Sequence, residues 1–182
     1  MLEVRFHGRG GQGAVTSAEL LALAAIAKGE YAQAFPSFGP ERRGAPVVAF
    51  ARIAEQRILN RAAVRTPNVV LVLDPSILRI ANTSEGLSDD GFQIINSQRP
   101  AKELREEFGL KGKLVTLDAN KIAAEEIGRV ITNTTMLGAL VRATGCVDKD
   151  ILIEGLKTRF GRIAEGNIKA FNRAYKECAI ED

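Results

Sequence analysis

The sequence has 182 residues, 46% of them hydrophobic and 26% charged, with a net charge of +3. That composition fits one globular domain and excludes a disordered or fibrous chain. Two cysteines 32 residues apart, Cys146 and Cys178, and a single histidine, His7, exclude a cysteine-ligated iron–sulfur cluster, a four-ligand zinc site and a multi-histidine metal site built from this chain alone.

The first element is a strand: Leu2, Val4 and Phe6 alternate with Glu3, Arg5 and His7. Gly8-Arg9-Gly10-Gly11-Gln12-Gly13 follows, and Ala14–Lys28 then reads as a helix rich in alanine and leucine, ended near Gly29. Tyr31–Phe35 is a second strand, 36–46 a loop with three prolines and two glycines, and Val47–Ile53 a third strand. Arg57, Arg61 and Arg65 share one face if their stretch is helical, and read as a solvated basic face. Asn68–Leu73 is a continuous apolar run, as in a strand buried on both sides, and Pro75 opens a short helix through Ala81. Phe92–Asn96 and Lys113–Leu117 are strands; Pro100–Phe108 and Ala119–Ile127 are helices. From Thr132 the chain turns helical, over Thr132–Thr144, Asp148–Phe160 and Ala164–Ala179. In the last helix Ala164, Ile168, Phe171, Tyr175 and Cys178 form an apolar stripe, which makes Cys178 a packing residue.

Strands that alternate with helices predict an α/β fold: one domain over residues 1–182, doubly wound, with a largely parallel sheet and a helical C-terminal part. The longest apolar runs, such as Leu20–Ala27, fall short of the roughly 20 residues that span a bilayer. Met1–Arg5 shows no basic region leading into an apolar core, so no secretory signal or membrane association is expected. A reduced, cytoplasmic compartment follows as the simplest expectation.

Two loops carry the chemistry. Gly8, Gly10 and Gly13 fit G-x-G-x-x-G between a strand and a helix. Glycines there let a ligand approach the backbone, and the following helix N-terminus favours an anion such as a diphosphate. The alternative is a tight turn with no ligand. A nicotinamide or flavin nucleotide needs a carboxylate at the end of the second strand to hold a ribose hydroxyl. That strand ends in Phe35-Pro36-Ser37, and no Lys-Ser/Thr follows Gly13 to make a Walker A loop.

The second loop, Phe35 to Pro46, holds Arg42, Arg43 and Gly44. In a doubly wound sheet it lies at the same carboxyl edge as the first loop, where arginines suit phosphate. Contact with a ligand and contact with another subunit are both open for it. Residues 1–66 carry nine Lys/Arg against five Asp/Glu, six of the cations being arginines between Pro36 and Thr66. No aromatic residues interleave with them, so nucleic acid is not an expected partner.

Gly8-Arg9-Gly10-Gly11-Gln12-Gly13 together with Phe38-Gly39-Pro40-Glu41-Arg42-Arg43-Gly44 resembles the gamma subunit of 2-oxoacid:ferredoxin oxidoreductases. The resemblance continues at Thr132-Asn133-Thr134-Thr135-Met136 and covers essentially the full chain. The Arg42-Arg43-Gly44-Ala45-Pro46 version is most similar to the pyruvate or branched-chain 2-oxoacid members. The resemblance implies an enzyme that decarboxylates a 2-oxoacid on thiamine diphosphate, passes electrons through iron–sulfur clusters to ferredoxin and releases an acyl-coenzyme A. This chain lacks paired-cysteine runs and a Gly-Asp-Gly…Asn pattern. Thiamine diphosphate, magnesium and the clusters are therefore expected on thiamine-diphosphate-binding and ferredoxin-like partner subunits, with ferredoxin met only indirectly, and this chain should be inactive alone.

In single-chain relatives the matching domain lies over the active site and takes part in coenzyme A binding. Carried over, this makes Gly8, Arg9, Gly10, Gly11, Gln12, Gly13, Thr16, Arg42, Arg43, Gly44 and Asn133 the candidate coenzyme A residues. Those relatives have a lysine and an asparagine after the glycine loop, where this chain has Ser17, Ala18 and Glu19. The alternatives are a free-standing nucleotide-dependent dehydrogenase and a purely structural assembly subunit.

Among single residues, His7 reads as a hydrogen-bonded structural group, Asp74 either as a helix cap or as a group facing the ligand crevice, Asn133 as a cap or a ligand-orienting group, and Cys146 as inert.

Overall fold

The computed structural model describes residues 1–37 and 43–181. Its strands form one seven-stranded sheet in the order β2-β3-β1-β4-β5-β6-β7. They are β1 Leu2–Arg9, β2 Tyr31–Pro36, β3 Pro46–Ala54, β4 Val69–Val72, β5 Phe92–Asn96, β6 Lys113–Leu117 and β7 Ala179–Glu181. The centre is parallel, β1 with β4, β4 with β5 and β5 with β6. Both margins are antiparallel: β3 pairs with β1 and β2, and β7 pairs with β6. The α/β class and the helical C-terminal part are as expected, and the largely parallel sheet expected is a mixed one, parallel at its centre.

One face of the sheet carries α1 (Ala14–Ala27), α4 (Asn133–Thr144) and α6 (Ala164–Glu177). Here the alternation of β1 places Val4 and Phe6 against Leu21, Met136, Leu140 and Phe171 in the larger apolar core. The other face carries α2 (Ala101–Phe108), whose Leu104 packs with Val70, Val72, Ile95 and Leu114. The remaining α-helices are α3 (Ala119–Ile127) and α5 (Lys149–Phe160).

The condition for a shared face of Arg57, Arg61 and Arg65 is not met, because their stretch is irregular. Its carbonyls are taken by side chains from the sheet: Arg52 donates to the Asn60 and Ala62 oxygens at 3.2 and 2.7 Å, and Gln33 to that of Ile58 at 3.1 Å. The three arginines remain exposed. The last helix stops at Glu177, and Ala179–Glu181 turns back as β7, a strand too short and too exposed to leave a period in the sequence. The buried side of α6 is Ala164, Asn167, Ala170, Phe171 and Ala174, with Ile168, Tyr175 and Cys178 at its margin.

Candidate functional site

The parallel strands all point their carboxyl ends to one edge. From β1 the chain enters α1 on the first face. From β4 it enters a 3-10 turn, Pro75–Arg79, whose Ile77 packs into the core of the second face. Such a divergence opens a crevice between β1 and β4, the usual ligand position in open α/β sheets. The β2–β3 hairpin also opens here, because Gly8 and Arg9 stand opposite Val47 and Pro46. The expected edge for the second loop is therefore correct, although β3 and not β2 is the neighbour of β1. That arrangement counts against the dehydrogenase alternative. A dinucleotide fold needs the strand after the first helix parallel and adjacent to β1, and antiparallel β3 holds that place.

Much of the glycine loop is engaged internally. The Gly10 N–H donates to Ala45 O at 2.8 Å and Gly10 O accepts from the Gly44 N–H at 3.1 Å, which joins the two loops. Gln12 Oε1 accepts from the Arg9 N–H at 2.7 Å, and Gln12 Nε2 donates to Asp74 Oδ2 at 2.9 Å. Arg9 reaches Gly44 O at 3.0 Å and lies 3.3 Å from the Asp74 carboxylate. A Cβ on Gly8 would stand 3.1 Å from Leu73 and 3.3 Å from Gln12, so this glycine answers to internal packing.

Gly11 and Gly13 differ. Both have a positive φ, 94° and 84°. A Cβ on Gly11 would meet nothing within 4 Å, whereas one on Gly13 would stand 2.7 Å from the Asn133 amide nitrogen. Gly13 is thus the point where the N-terminus of α1 meets the N-terminus of α4. Ser17 Oγ donates to Asn133 O at 3.4 Å across the same contact. Neither helix has a capping side chain or an acidic residue in its first turn. Asn133 is only 4% exposed, and among the described residues its buried Oδ1 has no hydrogen-bond partner, which is costly unless something is bound there. Thr16 sits half-buried in the first turn of α1.

Arg43 and Gly44 are exposed beside the glycine loop, with Arg43 bridged to Gly10. Arg42, with Phe38, Gly39, Pro40 and Glu41, lies outside the described residues. A cavity of about 340 Å³ adjoins the glycine loop and is lined in part by Gln12, Asp74, Asn96, Asn120 and Thr132. Asp74 fulfils both of its readings: it caps the 3-10 turn through Ser76 N at 2.9 Å and lines this cavity. Burial opposes its charge but is outweighed by hydrogen bonds from Ser76 and Gln12 and by Arg9, so its pKa lies below the ordinary carboxylate value. Ser76, Asn96 and Asn120 escaped sequence reasoning. A polar residue closing the apolar strand Phe92–Asn96 was the available signal for Asn96, which donates to Leu73 O and accepts from the Ala119 N–H.

His7 is buried, and burial followed by the Arg5 charge lowers its pKa to about 4. Among the described residues its Nε2 has no partner, unlike the hydrogen-bonded group expected. Burial pushes the Cys146 and Cys178 thiols up, away from the reactive thiolate. Among the described residues no three His, Cys, Asp or Glu side chains are grouped to hold a metal, and no helix is long and apolar enough to cross a membrane.

The profile of the pyruvate ferredoxin/flavodoxin oxidoreductase family matches residues 3–177. The chain is 47% identical over 182 residues to the pyruvate/ketoisovalerate oxidoreductases common subunit gamma of Thermococcus kodakarensis, covering 99% of this chain and 98% of that one. It is 48% identical over 178 residues to pyruvate synthase subunit PorC of Methanothermobacter thermautotrophicus, covering 97% and 96%. The crystal structure of the pyruvate oxidoreductase subunit PORC of Thermotoga maritima superposes with a TM-score of 0.90 at 40% identity, covering 100% of this chain and 98% of that one. In the 2-oxoglutarate:ferredoxin oxidoreductase of Magnetococcus marinus the same fold recurs in part of a longer chain, with a TM-score of 0.76 at 19% identity, over 96% of this chain and 30% of that one. The chain therefore belongs to the pyruvate ferredoxin/flavodoxin oxidoreductase family, as a gamma-type subunit.

Proposed function

We propose that this chain, as one domain over residues 1–182, is the coenzyme A-binding, active-site-covering subunit of a cytoplasmic pyruvate or branched-chain 2-oxoacid:ferredoxin oxidoreductase. Thiamine diphosphate, magnesium and iron–sulfur clusters belong to its partner subunits in this reading, and the chain turns nothing over alone. Its relatives bear the names of pyruvate and pyruvate/ketoisovalerate enzymes. The longer Magnetococcus marinus enzyme, which contains this fold, was solved with 2-oxoglutarate, coenzyme A and succinyl-CoA bound.

The observation that carries the reading is the meeting of two uncompensated helix N-termini at Gly13 and Asn133, with Arg43 bridged to Gly10 of the same glycine loop. Each helix end acts as roughly half a positive charge. Coenzyme A brings a diphosphate and a 3′-phosphate, more negative charge than either end alone balances. The N–H groups of Gly11 and of the first turn of α1 suit the diphosphate, and Arg43 the remaining phosphate charge.

Replacing Arg43 by alanine in the assembled complex tests this. A charge-assisted phosphate bond contributes on the order of 1.5–3 kcal/mol, so KM for coenzyme A should rise roughly 10- to 150-fold. Decarboxylation measured without coenzyme A should stay nearly intact. An unchanged KM would assign the loop to a subunit interface and favour a structural role.

A further inference from the structure

The motif residues Arg9 and Gln12 meet at one carboxylate. Asp74 Oδ2 accepts from Gln12 Nε2 at 2.9 Å and lies 3.3 Å from Arg9 Nε. Its Oδ1 accepts from the Ser76 N–H at 2.9 Å and from Ser76 Oγ at 2.6 Å. The same hydroxyl accepts from Arg9 Nε at 3.1 Å and Nη2 at 2.8 Å. Arg9 Nη1 then donates to Gly44 O at 3.0 Å, and Gln12 Oε1 closes the ring on the Arg9 N–H at 2.7 Å. The carboxylate accepts three hydrogen bonds and pairs with Arg9, and each nitrogen of the guanidinium has a partner, three of its five N–H groups being used. The two charges neutralise each other.

We infer that Asp74 is a positioning residue: through Arg9 and Gln12 it fixes the glycine loop against the Gly44 end of the β2–β3 loop, so that Arg43 and the N-terminus of α1 present themselves to one anion together. Asp74 and Ser76 come from the turn after β4, the other wall of the crevice, so the brace ties three segments distant in sequence. This inference rests on the coenzyme A reading for its functional consequence, but not for the geometry. It gives Arg9 and Gln12 a supporting role beside the ligand contact the resemblance implied.

The test uses Asp74→Asn and Gln12→Ala, separately and combined, in the assembled complex, with Arg43→Ala as reference. Asparagine still caps Ser76 through its oxygen but offers Arg9 no charge. Gln12→Ala is the milder break should the first variant assemble poorly. Two readouts are needed. Without coenzyme A, hydrogen exchange at the Gly44 amide should quicken in both variants. KM for coenzyme A should rise about tenfold in Asp74→Asn, with the coenzyme A-independent decarboxylation rate within about twofold, and the double variant should be no worse than the worse single one. Unchanged Gly44 exchange overturns the inference. Faster exchange with an unchanged KM in Asp74→Asn and a raised KM in Arg43→Ala also overturns it, because the brace would then be irrelevant to binding. Faster exchange with KM unchanged in every variant, Arg43→Ala included, upholds the brace and overturns the coenzyme A reading.

Discussion

The α-helix N-termini fall into two groups. At α3 and α5 an aspartate caps the end: Asp118 accepts from Lys121 N, and Asp148 from the N–H groups of Asp150 and Ile151. Helices α2 and α6 carry Glu103 and Glu165 in their first turns. Among the described residues only α1 and α4 have neither a capping side chain nor a first-turn acid, and these two touch each other at the carboxyl edge of the sheet. Four helix ends are balanced within the chain, and the two that meet at the crevice are not. Leaving a helix end uncapped costs about 1 kcal/mol, and converging two of them concentrates positive potential. The difference is the physical basis of the proposed anion site.

Breaking the uncompensated pair should have the largest effect. Gly13→Val forces a side chain into a backbone at φ 84° and against the Asn133 amide. Strain and overpacking together should cost about 2–4 kcal/mol, read as a fall in the urea midpoint of unfolding. Gly11→Ala, with open space around it, should cost only about 1 kcal/mol while still weakening coenzyme A binding. Equal losses in the two variants would mean that the Gly13–Asn133 contact is not tight.

His7 sharpens the comparison by separating helix-end charge from imidazole charge. Its folded pKa, about 4, lies below the ordinary 6.5, so the unfolded chain takes up the proton first. Stability should be full above pH 6.5 and should fall by about 3 kcal/mol as the pH drops through 4. Unfolding curves measured across that window should flatten in His7→Gln. Coenzyme A affinity should show no histidine inflection between pH 6 and 8, since His7 stays neutral there.

A capped end gives the contrasting result. Asp148→Ala should lower stability by about 1 kcal/mol without changing KM for coenzyme A. The smallest effect on stability belongs to Thr16→Asp, which supplies α1 with the acid it lacks. Thermal melting should move by less than about 1 kcal/mol, and upward if at all, while KM for coenzyme A rises. A destabilised Thr16→Asp with normal KM would show that the end of α1 is merely a turn.

The fold was legible where periodicity is local. Phe92–Asn96, Lys113–Leu117 and Ala119–Ile127 stand between the boundaries their patterns predict. Pairing was not legible, because nothing in Tyr31–Phe35 says that it joins β3 and leaves β1. The spacing of Arg57, Arg61 and Arg65 would suit a helix, but Arg52, buried in β3, takes two carbonyls of that stretch. In the site, the glycine loop and Asn133 were legible as motif and helix head. The bracing contacts of Arg9 and Gln12 were not, since Gly44 and Asp74, which hold them, lie 35 and 62 residues away. Gly13 showed in the sequence as a residue that lets a ligand in, and the structure gives it a neighbour instead.

The central claim is that this chain supplies the two loops that hold coenzyme A. Hydrogen exchange of the assembled complex with and without saturating coenzyme A tests it most directly. The account predicts slower exchange on binding at residues 11–16, 43–46 and 132–135 of this chain. Protection confined to the partner subunits, with these segments unchanged, would contradict it.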